Sequence, residues 1–289
     1  MTKELNNNGV IQFSDLNDKK VMAIYIIMLI AGLIISFLVL TPFIYLILSS
    51  FKDVREFITE STIFPKSYDF KKFIVTWNNL NFLHYFRNSL IAVFGSVVSA
   101  VFFNGLLGYT LSKIKPKGSR LVFALVLWSL LIPSTTSIVP LFVNIARLNL
   151  TGTFIPIWLS IGANAFFVIV FKNFFDDLPD SLVEAAMIDG LNNFAIFIKI
   201  AIPLSKAIIT VITIFAINNA WSDFLLPYLT LRGSNFETVM VRLFNFRNSA
   251  STEVVILQAV LFSIVPPVIL FLIFQKRITQ ISIAGGIKG

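Results

Sequence analysis

The sequence predicts an all-α integral membrane protein with six transmembrane helices. Of the 289 residues, 56% are hydrophobic, only 13% are charged and 31 are phenylalanine. The mean hydropathy is +0.84, and this composition is not that of a soluble domain. The apolar residues are gathered into long runs, and about 20 helical residues suffice to cross a hydrocarbon core of about 30 Å.

Six stretches are long and apolar enough to cross a membrane. They are residues 21–48, 88–112, 121–146, 153–171, 206–229 and 254–275. The first belongs to an uncharged run from Val21 to Phe51 that far exceeds the about 7 to 15 residues of a signal-peptide core, so we expect a retained span. In the last, the apolar residues outweigh Pro266 and Pro267. The predicted membrane domain, residues 21–280, thus lies between polar tails at residues 1–20 and 281–289.

The orientation follows from a short basic loop, KIKPKGSR, between the second and third spans. Its cationic residues are Lys113, Lys115, Lys117 and Arg120, and short loops of this charge density stay in the cytoplasm. Six crossings then place both termini and a polar loop at residues 177–206 inside. The outer loop at residues 51–87 is also basic and is the weakest support for this topology. The net charge of +8 is explained by topology, and no aromatic and basic pattern indicates nucleic-acid binding.

The polar loop between the fourth and fifth spans has its own helix signals. Ser181 and Glu184 have the spacing of a capping box, which predicts a helix beginning near Leu182. Gly190 suits the left-handed position just past its end. A second short helix is expected at residues 192–200, ended by Pro203.

One face of the first loop helix is predicted to be small and flat. Leu182, Ala185, Ala186 and Asp189 share a stripe at helical spacing. Two adjacent alanines would let the backbone of another protein come close. The same capping box and glycine stop occur singly in many ordinary helices, but their combined spacing is poorly explained by chance.

The whole loop resembles the cytoplasmic loop of permease subunits from binding-protein-dependent ABC importers. That loop has the pattern EAA, three residues, glycine, nine residues, then Ile-x-Leu-Pro. The matching residues here are Glu184, Ala185, Ala186 and Gly190, followed by Ile200, Ala201, Ile202 and Pro203. The single departure is Ile202, which stands where leucine is usual.

Further segments are similar to the carbohydrate branch of this family. They are HYFRNSL at residues 84–90, the twin-proline segment at 132–153, WSDFLLP at 221–227 and AGGIKG at 284–289. Asn149 stands where the family commonly has glycine. The resemblance covers nearly the whole chain and is closest to the shorter of the two paired permeases in maltose-type and multiple-sugar importers.

The resemblance implies a permease of an ATP-driven carbohydrate importer in a bacterial-type plasma membrane. The partners it implies are an ABC ATPase dimer that carries ATP and magnesium, a second and different permease, and an extracytoplasmic sugar-binding protein. The residues it implies at the coupling contact with the ATPase are Glu184, Ala185, Ala186, Met187, Asp189, Gly190 and Pro203. This chain itself is then expected to bind no cofactor.

Two groups of polar residues inside the spans are candidates for lining a sugar path. They are Ser134, Thr135, Thr136 and Ser137 in the third span, and Asn218, Asn219, Trp221 and Asp223 in the fifth. Polar side chains within a membrane need partners in the helix bundle or in a wet cavity. Sugar hydroxyls could be those partners, but helix–helix hydrogen bonding explains each residue equally simply.

Two other classes of function remain open from the residues. An ion-coupled secondary transporter would need paired buried ionisable groups or repeated broken helices, and Asp223 is the only acidic residue inside a span. A membrane enzyme or scaffold would need a catalytic constellation or a large soluble domain. No metal cluster, nucleophile motif or phosphate-binding glycine loop is recognisable, and His84 is expected to have a surface role.

Overall fold

A computed structural model describes residues 19–133, 135–247 and 252–286, with side chains in the last helix as far as Gln275. The described residues form helices joined by turns, with no strand among them. The helices are α1 Lys19–Ser50, α2 Val54–Thr59, α3 Lys71–Asn79, α4 Phe82–Ile114, α5 Ser119–Ser129, α6 Ile138–Arg147, α7 Ile155–Gly162, α8 Ala165–Asp176, α9 Asp180–Ile188, α10 Asn193–Leu204, α11 Lys206–Ser222, α12 Leu225–Leu231, α13 Val239–Arg247 and α14 Glu253–Gly286.

Three described helices, α1, α4 and α14, are long and apolar enough to cross a membrane singly. Two bent pairs, α7 with α8 at 44° and α10 with α11 at 84°, raise the count to five if each pair is one span. The predicted third span, residues 121–146, is not one helix, because α5 ends at Ser129 and α6 begins at Ile138. Pro133 lies in this break, where a helix would lack its N–H donor. The number six therefore stays a prediction.

The chain divides into two compact units, the first ending at Phe70. In the first unit, the most apolar window of α1 has no residue buried within the chain. The segment after α1 folds on itself, because the ring of Phe51 meets Tyr68 at 5.4 Å and Phe70 at 5.2 Å. The buried Glu56 carboxylate accepts a hydrogen bond from the Lys66 backbone N–H at 2.9 Å.

In the second unit, α4 is the central helix and packs on α7, α8 and α11. Gly108 permits the close contact with α8, since a Cβ there would lie 2.7 Å from the Phe171 Cβ and 3.0 Å from the Lys172 amide nitrogen. Small residues allow such approaches where lipid provides no hydrophobic driving force between helices. The polar loop thus packs against the closely paired helices α4 and α8.

Two clusters of buried side chains form most of the core of this unit. One includes Tyr109, Phe171, Phe175, Ala186 and Phe197 and lies under the polar loop. The other, at the opposite end of α4, includes Phe82, Val93, Trp221, Val239 and Ala259.

The structure describes only part of each predicted tail. Residues 1–18 lie outside the described residues, and α1 begins at Lys19. The predicted C-terminal tail at residues 281–289 is helical as far as Gly286, because α14 continues to that residue.

Candidate functional site

The first helix of the polar loop, α9, ends at a glycine with left-handed backbone conformation, and two hydrogen bonds close this end. Gly190 has φ +83°, its N–H donates to the Met187 carbonyl, and the Leu191 N–H donates to the Ala186 carbonyl, both at 3.0 Å. These are the two bonds of a Schellman motif. The predicted glycine stop is confirmed, and α9 is a short helix with a fixed end.

The start of α9 differs from the predicted capping box. The helix begins at Asp180 after Pro179, and no side chain caps it at that position. The Glu184 side chain forms no hydrogen bond among the described residues, and Ser181 already lies inside the helix, so the assignment of Ser181 as cap is wrong.

A lysine from a distant helix secures this end instead. The Lys113 ammonium pairs with the Asp180 carboxylate at 2.6 Å and donates to the Leu178 carbonyl at 2.5 Å. Only 5% of the Lys113 side chain is exposed. This ion pair holds the pKa of Asp180 below its ordinary value, chiefly through the hydrogen bond from Lys113.

The adjacent end of α8 is held to α4 by a second polar contact. The Ser112 hydroxyl donates to one oxygen of Asp176, and the Lys172 ammonium pairs with the other, each at 2.6 Å. Burial by itself would raise the pKa of Asp176, but the hydrogen bonds from Lys172 and Ser112 outweigh it and keep the pKa below its ordinary value. The basic loop and the polar loop therefore contact each other and lie on one side of the membrane.

The two alanines of the EAA segment differ in burial, contrary to the predicted flat outward stripe. Ala186 is buried in the chain's own core with Phe175 and Phe197, whereas Ala185 is exposed. The reason is that α9 must bury one face on α4, α8 and α10 to be stable, because an isolated helix of about nine residues is marginal in water. Ala186 thus seats α9 and does not lie on its outward face.

The outward face of α9 presents three large apolar side chains. Leu182, Met187 and Ile188 have 44%, 48% and 87% of their surfaces exposed. Glu184 and Asp189 are also exposed and complete that face. A helix that is fixed on one side and presents exposed large side chains on the other is suited to docking in a cleft of another protein.

The second helix of the loop is longer than predicted. Asn192 caps it by accepting a hydrogen bond from the Ala195 N–H at 2.8 Å, but the helix continues past Ile200 to Leu204. Pro203 is accommodated because a π-helical turn precedes it, in which the Ile202 N–H donates five residues back to Phe197. The chain then bends by 84° into α11, so Pro203 marks a bend and not a helix stop.

The first group of path candidates lies in the break between α5 and α6. Thr135, Thr136 and Ser137 are exposed and non-helical, and Ser134 lies outside the described residues. Irregular backbone at membrane depth is tolerated where it is covered by protein or lines a wet cavity. The path role of Thr135, Thr136 and Ser137 stays a prediction.

The second group separates into exposed and buried members. Asn218 and Asn219 are exposed on α11, which packs on α4, α8 and α14. Trp221 is 4% exposed and donates its indole N–H to the Ser263 carbonyl at 3.0 Å. Asp223 follows α11 and is half-buried just before the start of α12. The path role of all four residues stays a prediction, and Trp221 also has a structural partner in the core.

The HYFRNSL segment secures the outer loop before α13. The Asn88 side chain donates to the Asn235 carbonyl at 2.8 Å and to the Glu237 carbonyl at 3.0 Å, and His84 also contacts the Asn235 carbonyl at 2.8 Å. The Ser89 hydroxyl accepts from the Val239 N–H at 2.9 Å. No group of three or more potential metal ligands occurs within the described parts of the chain.

Asn149 occupies the turn where glycine is common in the related permeases. Its φ is +56°, and asparagine tolerates this left-handed region better than most residues. The Leu150 N–H donates to the Ile145 carbonyl at 3.1 Å, which completes the end of α6. The turn geometry is therefore retained without glycine.

Sequence reasoning missed the role of Asn104. This residue is fully buried in α4, and its amide donates to the Ile161 carbonyl at 3.0 Å and accepts from the Asn164 N–H at 2.9 Å. It thereby satisfies backbone groups exposed at the bend between α7 and α8. An asparagine in the middle of an apolar span was the available signal.

The long apolar helices indicate a multi-pass membrane protein, and comparisons with known proteins identify its family. Residues 104–280 match the family described as binding-protein-dependent transport system inner membrane component. The chain belongs to this family of ABC importer permeases.

Individual relatives are similar over nearly their full length. The arabinooligosaccharides transport system permease protein AraQ of Bacillus subtilis is 29% identical over 89% of this chain and 93% of that protein. The melibiose/raffinose/stachyose import permease protein MelC of the same species is 29% identical over 86% and 91%. A chain from a bacterial ABC transporter involved in import of the acidic polysaccharide alginate has the same fold, with a TM-score of 0.78 at 22% identity over 90% of this chain and 98% of that one.

Proposed function

We propose that this chain imports an oligosaccharide into the cytoplasm as one permease of a heteromeric importer driven by ATP. The observation that carries the proposal is the outward apolar face of α9, formed by Leu182, Met187 and Ile188 on a helix seated by Ala186. The substrate class is supported by the named oligosaccharide relatives.

In this proposal, an ABC ATPase dimer with its ATP and magnesium receives α9 and supplies the free energy. A displacement of α9 would be transmitted to α4 through the ion pair between Lys113 and Asp180. It would be transmitted to α11 through the bend after Leu204. The helix bundle would then alternate between inward-open and outward-open states. The outward residues Glu184, Ala185, Met187 and Asp189 would contact the ATPase, while Ala186, Gly190 and Pro203 would hold the loop in shape.

The proposal includes two further partners. The break at residues 135–137 and the exposed Asn218 and Asn219 would face a second permease across the solute path. An extracytoplasmic binding protein would deliver the sugar at the end of α4 marked by Asn88. Both termini would lie in the cytoplasm of a cell with a bacterial-type plasma membrane.

The test is Ile188→Lys in the importer purified with its ATPase and reconstituted in liposomes. Because the Ile188 side chain is 87% exposed, the charge should leave the fold intact while removing the ATPase from the complex and ending ATP-dependent sugar uptake. Ile63→Lys, at a 63% exposed position in the predicted outer loop, is the matched control and should retain both. Uptake that continues without ATP and follows an ion gradient would favour the secondary transporter instead.

A further inference from the structure

A cleft of about 550 Å³ lies beside the polar loop on the same face of the protein. Its lining includes Leu111 at the end of α4, Lys115 and Gly118 in the basic loop, Arg120 and Phe123 in α5, and Lys172 in α8. The loop turns sharply there, with left-handed backbone at Lys115 and Gly118. The cleft is therefore built by three helices and a fixed turn.

The cleft has an excess of positive charge. Lys172 already pairs with Asp176 at 2.6 Å and lies 4.8 Å from the centre of the Phe123 ring. Lys115 and Arg120 have no carboxylate within ion-pair distance among the described residues. The nearby carboxylates, Asp176 and Asp180, are both paired with other lysines. The cleft thus has two cations available for an anion, and the positive end of the α5 dipole adds to them.

An apolar stripe continues from the cleft along α5. Leu121, Leu125 and Trp128 are spaced on one helical face, and 67%, 53% and 66% of their surfaces are exposed. No residue of α5 is buried within the chain. A cationic pocket followed by an exposed apolar stripe matches a molecule with an anionic head and a long apolar tail.

We propose that this cleft binds an anionic phospholipid, with its phosphate between Lys115 and Arg120 and an acyl chain along Leu121, Leu125 and Trp128. Basic pockets between membrane helices near the interface recognise anionic headgroups in this way. The lipid would lie directly against Lys172, whose partner Asp176 accepts the Ser112 hydrogen bond that joins α8 to α4. This inference goes beyond sugar import and does not depend on which solute is carried.

The experiment measures retention of phosphatidylglycerol and phosphatidylcholine by the full-length chain with native mass spectrometry. We expect selective retention of phosphatidylglycerol, weakened roughly fivefold by each of Lys115→Gln and Arg120→Gln. Lys117→Gln removes the same charge from the same loop outside the cleft lining and should change nothing. Unchanged thermal unfolding of all three variants would exclude a folding defect.

Three outcomes would overturn the proposal. If inorganic phosphate in excess displaces the lipid, or is retained equally well, the cleft is a general anion site and the α5 stripe has no part in it. If the lipid is lost when the ATPase and the second permease assemble with this chain, the cleft is a protein interface. Equal retention by Arg120→Gln and the parent chain would also contradict the assignment.

Discussion

At the scale of single residues, Gly190 determines how α9, the proposed docking helix, ends. Its φ of +83° is inaccessible to proline, whose ring fixes φ near −65°, and proline would also remove the N–H that donates to Met187. We expect Gly190→Pro to abolish sugar uptake while ATP hydrolysis by the reconstituted importer continues. Gly190→Asn should retain most uptake, because asparagine tolerates the left-handed region and nothing lies within 4 Å of a Cβ there. Normal uptake by the proline variant would contradict the docking role.

Residue patterns predicted the end of α9 but not its beginning. The helix end at Gly190 depends on local backbone conformation, which a short sequence pattern can indicate. The start depends on Lys113, which is 67 positions from its partner Asp180. The burial of Ala186 beside an exposed Ala185 is likewise set by tertiary packing, which helical spacing alone does not determine.

At the scale of helices, the proline pair in α14 leaves carbonyls without their usual donors. Pro267 has no N–H for the carbonyl of Ser263, four residues earlier, and the Trp221 indole supplies the missing donor at 3.0 Å. We expect Trp221→Phe to lower the free energy of unfolding by about 1–3 kcal/mol through that unsatisfied carbonyl. Denaturant unfolding in detergent measures the change.

A double-mutant cycle separates this bond from ring packing. Pro267→Ala restores an N–H to the same carbonyl, so Trp221→Phe should cost less in that background. Trp158→Phe is the matched control, since the Trp158 indole nitrogen is buried and has no hydrogen-bond partner among the described residues. An equal cost of Trp221→Phe in both backgrounds would show that the ring alone matters.

Apolar length predicted where helices occur but not where they break. The segment at residues 121–146 has enough hydropathy for a span, yet Pro133 and its polar neighbours interrupt it. The bend between α7 and α8 contains no proline and depends on Asn104, which supplies hydrogen bonds from another helix. Such breaks are decided by partners that a hydropathy window does not contain.

At the scale of the whole molecule, contacts between loops constrain the number of crossings. Lys113 and Asp180 are in contact, so the chain between them crosses the membrane an even number of times. If the bent α7–α8 pair makes one crossing, the interrupted α5–α6 pair must make the other. Two further contacts join segments that six crossings would place on the same side of the membrane. They are the hydrogen bond from the Asn88 side chain to the Glu237 carbonyl and the hydrogen bond from the Gly152 N–H to the Thr230 carbonyl at 2.7 Å. These contacts favour six crossings over five.

The absence of cysteine from the sequence allows a direct test of this topology. The experiment introduces a single cysteine at Ser61, Lys117 or Lys288 and treats intact cells with a membrane-impermeant maleimide. Six crossings with cytoplasmic termini predict labelling at Ser61 only, and labelling at Lys117 and Lys288 once the membrane is permeabilised.

If α5–α6 failed to cross, the loop contact between Lys113 and Asp180 would require α7–α8 to remain on the same side as well, and four crossings would result. A cysteine at Leu148, which is 68% exposed after α6, distinguishes these cases, because it is labelled in intact cells only if α5–α6 spans the membrane.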